Sequence, residues 1–259
     1  MRIETTSENR KELVKSIGEF LGQKPKYVGP PSYAYKVEGY TIERDGTVVS
    51  ETEMDGERMR AHLEEHGFAE PRQELESLEV TVPLEDMEGP QLQNLIYMIR
   101  SKQYLLNRVV GKDHFSISDN FINTLQTNLP ETKEDFLNLW SESAESISGL
   151  SFEEYKVTFT FPGSEKPEKN RAYVELAAMM VAHVREAKRI SPKASEPENE
   201  KYYLRVWLVR LGLGGKGAKD SRKALLEGLK GHTAFRTPAD AEKHKARLRE
   251  RKDGESHDD

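Results

Sequence analysis

Cysteine is absent from the 259-residue chain, which removes disulfides, thiolate nucleophiles and cysteine-ligated zinc from consideration. No apolar run approaches the roughly 20 residues of a membrane span. The first residues, MRIETTSENRKEL, lack the apolar stretch of a secretory signal. A cytoplasmic protein without membrane contact is therefore expected. Internal repeats are missing, and so is a G-x-S-x-G elbow. His114, His183 and His232 are scattered along the chain, so no nucleophile–base arrangement is visible and no cofactor is expected.

What is present is charge. Apolar residues make up 36% and charged residues 32% of the chain, enough for a core under a heavily charged surface. The length suits one to two domains. The net charge of -6 conceals an asymmetry. Across residues 51–88 acids greatly outnumber Arg58, Arg60 and Arg72; across 201–252 the balance reverses, with Arg205, Arg210, Lys216, Lys219, Arg222, Lys223, Lys230 and Arg236 against few acids. Sign asymmetry is an argument about partners rather than fold. Two solvated surfaces are the plain reading. The sharper one lets the closely spaced carboxylates of 51–88 imitate duplex phosphates.

Hydrophobic periodicity and turn residues point to an α+β fold. Leu13, Ile17, Phe20 and Leu21 share one helical face, closed by Gly22. Three strand-like runs (32–37, 40–43, 47–50) follow, separated by Glu38-Gly39 and Asp45-Gly46. A helix over about 55–66 completes a small N-terminal α-β-β-β-α unit, residues 1–71. A central sheet-and-helix domain, 72–190, opens on a strand (77–84). Its long helix starts at Pro90 and ends at Gly111. A possible strand at 114–118, a short helix capped by Asp119 and a helix over 133–147 come next. The strand 155–161 and a helix over 169–189 follow. Beyond the polar linker 191–200, residues to 259 read as a C-terminal helical hairpin with a charged tail.

Three motifs carry candidate chemistry. HLEEH, residues 62–66, satisfies H-x-x-E-H and puts two imidazoles on one helix face, as zinc would need. The helix stops at Gly67 and no third ligand is evident, so a solvated helix end is the better reading and no metal is expected. Residues 212–217 satisfy G-x-G-x-x-G, but no second strand is visible beyond them, and Gly217 stands where a Walker A loop needs Ser or Thr. The same loop precedes a helix starting near Ala218. Free N–H groups at a helix start beside cations suit phosphate. Lys216, Lys219, Arg222, Lys223, Lys230 and Arg236 are accordingly the candidate nucleic-acid-binding residues. Aromatic interleaving is slight, which speaks for backbone contact over base stacking.

Four segments, 10–48, 94–118, 149–163 (GLSFEEYKVTFTFPG) and 199–240 (NEKYYLRVWLVRLGLGGKGAKDSRKALLEGLKGHTAFRTPAD), cover about half of the chain. They resemble a bacterial family of conjugative and phage-like mobile elements that is labelled virulence-related. Leu211, Gly212, Gly215, Lys219, Arg222 and the run 231–236 match the family's last segment, whereas Gly214 and Gly217 depart from it. The resemblance implies a mobile-element setting and a bacterial cytoplasm, and carries no catalytic motif.

The leading expectation is a non-enzymatic accessory protein that binds nucleic acid or a host nucleoprotein. Counter-defence in the manner of an anti-CRISPR inhibitor of a host nuclease is one concrete form. The alternatives are an enzyme whose site is assembled from residues distant in sequence, and a purely structural protein-interaction module. The oligomeric state is left open.

Overall fold

The computed structural model describes residues 1–6, 9–51, 53–71, 76–237, 239–240 and 242–243. Arg72 and the charged tail beyond 243 lie outside them. Among the described residues the chain forms two antiparallel sheets and a set of helices, an α+β fold.

The N-terminal part runs β1 (Arg2–Ile3), α1 (Arg10–Leu21), β2 (Lys26–Tyr27), β3 (Tyr35–Val37), β4 (Tyr40–Ile42), β5 (Val48–Ser50) and α2 (Glu53–Glu65). Helix α1 begins where the Asn9 side chain accepts from Lys11 N–H and ends at Gly22, whose φ of 63° a side chain would resist. The expected three-strand ribbon is β3-β4-β5. The structure adds a strand at each edge, giving the order β1-β5-β4-β3-β2. Each added strand has only two residues, too short for alternation to announce; β1 pairs with the distant β5 and β2 with the following β3. Ile3, Leu13, Ile17, Ile42, Val48, Met59 and Leu63 fill a core beneath this sheet.

The second sheet has the order β6-β8-β7, from β6 (Leu78–Pro83), β7 (Leu150–Glu153) and β8 (Lys156–Phe161). Val80 faces Phe159 and Val82 faces Val157, so the alternating apolar residues share one side. Helix α6 (Pro167–Glu186) packs on the sheet and α3 (Gly89–Val110) packs on α6 within the same buried cluster; Phe161 stacks on Tyr173 at 4.6 Å. Pro90 sits in the first turn of α3, where its missing N–H costs nothing, and Gly111 (φ 81°) terminates the helix. Glu88 N–H donates to Gln91 Oε1 at 2.7 Å, while the Glu88 carboxylate accepts from Lys133 N–H at 2.9 Å. One acid thus joins the starts of α3 and α5 (Lys133–Ser143). The expected strand at 114–118 reduces to a single bridge between Ser116 and Ser148. Helix α4 (Asp119–Thr127) is capped by Ser118, not Asp119.

Helix α7 (Glu200–Leu208) continues through a π-turn (Val209–Leu213), and α8 (Lys219–Leu226) folds back beside it. Leu204, Trp207, Leu208, Leu211, Leu225 and Leu229 belong to the same buried cluster as α3 and α6. The hairpin is therefore packed onto the central core and not tethered beside it. Among the described residues no helix is long and apolar enough to cross a membrane.

A buried polar cluster fastens the three parts. Glu200 is 1% exposed. Its Oε1 accepts from Tyr104 Oη at 2.8 Å and lies 2.9 Å from Arg108 Nε; its Oε2 accepts from Lys230 N–H at 2.8 Å. Asp55 on α2 stands 3.8 Å from Arg108 and 3.7 Å from Lys230 Nζ. The close Arg108–Glu200 approach is an ion pair without an aligned N–H, since Arg108 Nε and Nη2 are buried and lack a hydrogen-bond partner. Burial, followed by the hydrogen bond to the Glu200 carboxylate, pushes the Tyr104 hydroxyl up to about 12.

Candidate functional site

The six cations expected to meet a polyanion have three different fates. Arg222 turns back onto its own loop, where its guanidinium donates to the carbonyls of Leu213 and, at 2.8 Å, of Gly215. It closes the end of the π-turn by satisfying carbonyls that the helix leaves open. Lys230 and Arg236 are held by the molecule itself: Lys230 faces Asp55, and Arg236 Nε donates to Tyr203 Oη at 2.9 Å with its guanidinium over that ring. Lys216, Lys219 and Lys223 are exposed and make no ion pair or hydrogen bond through their ammonium groups among the described residues. One turn beyond Lys223 stands Glu227, which Lys166 already engages at 2.7 Å. That contact holds the Glu227 carboxyl below its usual range, with Lys169 and Lys223 adding to the field.

The helix start contributes less than its free N–H groups suggest. Ala218 provides no side-chain cap, and Asp220 occupies the first turn of α8, where an acid already answers the positive end of the helix dipole.

The run 231–236 wraps around one side chain. Asn199 Oδ1 accepts from Tyr202 N–H and His232 N–H, and its amide donates to the carbonyls of Phe235 and Arg236. This stretch is held to the start of α7.

The remaining motifs resolve locally. His62 Nε2 is 2.9 Å from Ser16 Oγ and its ring stacks on Phe20; His66 Nδ1 bonds back to the His62 carbonyl. Both imidazoles have structural partners, and no group of three or more His, Cys, Asp or Glu suited to a metal occurs among the described residues. The G-x-G-x-x-G loop follows a helix instead of a strand, the wrong setting for a dinucleotide. Only Gly212 in it needs glycine: its φ is 102° and a Cβ there would meet Met179 Cε at 2.5 Å. Of the acids in 51–88, Asp55 and Glu88 have the internal tasks described above, and Glu64 pairs with Arg60. Residues 52 and 72–75 of that stretch lie outside the described residues.

One feature escapes any reading of the sequence. Where α3, the end of α6, the segment 190–195 and α7 meet, a cleft of 430 Å³ opens to solvent. Lys102, His183, Lys193 and Arg210 line it, with Met98, Ile190 and Trp207 as its apolar wall, and none of its lining residues is acidic. The side chains of Lys102, Lys193 and Arg210 make no ion pair or hydrogen bond among the described residues. Burial, and secondarily the charge of Arg210, lowers the Lys102 ammonium below its ordinary range. The sequence signal was slight: Arg210 counted only toward the basic end, and Lys102 sat unmarked in a helix. Comparison of the chain with protein-family models, with curated proteins and with solved structures finds no match in any of the three.

Proposed function

We propose that this protein is a non-enzymatic accessory of a bacterial mobile element that binds nucleic acid, alone or within a host nucleoprotein. Its contact surface is the exposed turn and helix that carry Lys216, Lys219 and Lys223. The observation behind this reading is that, among the described residues, these three ammonium groups make no ion pair or hydrogen bond in a chain of net charge -6, although carboxylates are abundant. Exposed cations suit phosphates, whose condensed counter-ions they release without regard to base sequence. The mobile-element setting rests on the four resembling segments. Counter-defence, by occupying a host nuclease or its nucleic acid, is the specific form this reading takes.

Fluorescence anisotropy with a short duplex and with a single strand tests it. Affinity should fall steeply between about 50 and 200 mM salt. Replacing Lys216, Lys219 and Lys223 together by Ala should flatten the slope of log affinity against log salt by about 2 to 3, one released counter-ion per lysine. Binding that ignores salt, or no binding at low salt, would remove the proposal.

A further inference from the structure

The cleft between α3, α6 and α7 is chemically distinct from the exposed lysines. Lys216, Lys219 and Lys223 do not line it, so it stands or falls independently of the surface reading. Its volume of 430 Å³ lies within the roughly 300–1,000 Å³ of small-ligand sites, and a duplex cannot enter it. Three cations converge there without a carboxylate, and one of them, Lys102, is half removed from water. Like charges gathered in a partly dry site oppose folding unless something of opposite sign joins them. Lys193 and Arg210 are exposed and Lys102 is half-buried, so three cations line one cleft, the innermost at a cost in hydration, and the arrangement suits a ligand that supplies at least two negative charges. The lining also includes apolar side chains. Met98, Ile190 and Trp207 present carbon surface that a bare inorganic anion would leave wet.

We propose that this cleft binds a phosphomonoester carried on a flat apolar body. The phosphate lies between Lys102, Lys193 and Arg210, and the body lies against Met98, Ile190 and Trp207. Ser191 and Ser195 add hydroxyl donors at the rim. A free mononucleotide and the phosphorylated end of a strand share this chemistry.

Isothermal titration of the full chain with adenosine 5′-monophosphate, and separately with adenosine, tests the proposal. The monophosphate should bind, with adenosine weaker by at least about tenfold. Lys102→Met keeps the aliphatic stem and removes the charge. It should weaken monophosphate binding at least about tenfold while raising the melting temperature, because an uncompensated cation has gone. Arg210→Gln, at an exposed position, should weaken binding with the melting temperature unchanged. Equal affinity for adenosine and its monophosphate, or full affinity in both variants, would overturn the assignment. In the variant with Lys216, Lys219 and Lys223 replaced by Ala, competition by a 5′-phosphorylated strand but not by a 5′-hydroxyl strand identifies the strand end as the source. Competition by neither identifies the free nucleotide.

Discussion

Glu200 and Arg222 show how much a residue's neighbours decide. The two oxygens of the buried Glu200 carboxylate accept from two other regions, Oε1 from Tyr104 on α3 and Oε2 from the Lys230 N–H. Glu200→Gln keeps the shape, but it leaves Arg108 short of a negative partner and sets an amide group against the Lys230 N–H or the Tyr104 hydroxyl. Removing one member of a buried pair exposes the full desolvation penalty of the other, so a loss of about 3 kcal/mol is expected in urea unfolding. Arg222 resembles Lys219 in the sequence and differs from it in the fold. Arg222→Ala leaves the carbonyls of Leu213 and Gly215 without their charged donor and should cost about 1–2 kcal/mol. Lys219→Ala, at a solvated position, should stay within about 0.5 kcal/mol and reduce polyanion affinity. The same two titrations, unfolding and anisotropy, separate the roles.

The end of α7 is the element on which both candidate surfaces depend. Its chain leaves the helix at Gly212, with Met179 of α6 directly behind; Arg210 lies just before this exit, and the exit angle sets where the lysine-bearing turn lies. Gly212→Ala combines a positive φ with a clash and should destabilise by at least about 1–2 kcal/mol. Gly217→Ala meets no atom within 4 Å and needs no positive φ; it should be neutral or stabilising by up to about 1 kcal/mol. Melting temperatures of the two variants test this contrast directly. The spacing pattern alone treated the two glycines as equivalent, whereas the backbone distinguishes them. The long helices were legible for a comparable local reason: Leu92, Leu95, Ile96, Ile99 and Val109 repeat on one face of α3, and its boundaries coincide with Pro90 and Gly111. Strands β1, β2 and β7 were not legible, being only two to four residues long, too short for a period-two pattern, and β1 is held by the distant β5.

On the scale of the whole molecule, the asymmetry between an acidic stretch and a basic end is partly an internal matching of charge, because Asp55 faces both Arg108 and Lys230. Two histidines add a pH dependence. Burial, ahead of the neighbouring His66, lowers His62; burial lowers His114 despite its contact with the Thr160 carbonyl. Both are favoured neutral in the folded chain, so near and below the ordinary value of 6.5 the unfolded chain binds more protons. Their contribution to stability is present above pH 6.5 and is lost as pH falls through the lower folded values. Unfolding free energy should be flat near pH 7.5 and decline toward pH 5.5, with a slope of at most about 2.7 kcal/mol per pH unit for two protons. His62→Gln should remove part of that decline, as denaturation at the two pH values would show.

The amino-acid sequence by itself determined the α+β class, the positions of the long helices and the gathering of cations near the C-terminus, because helical periodicity, terminating glycines and charge are properties of neighbours in the chain. Tertiary structure alone decided which cations face solvent and which face Asp55, the Tyr203 ring or a carbonyl. It also brought Lys102, Lys193 and Arg210 from three separate segments around one cleft. The reason is physical: a charge acquires its role from what lies within a few ångströms, and in a folded chain those neighbours are set by packing across elements.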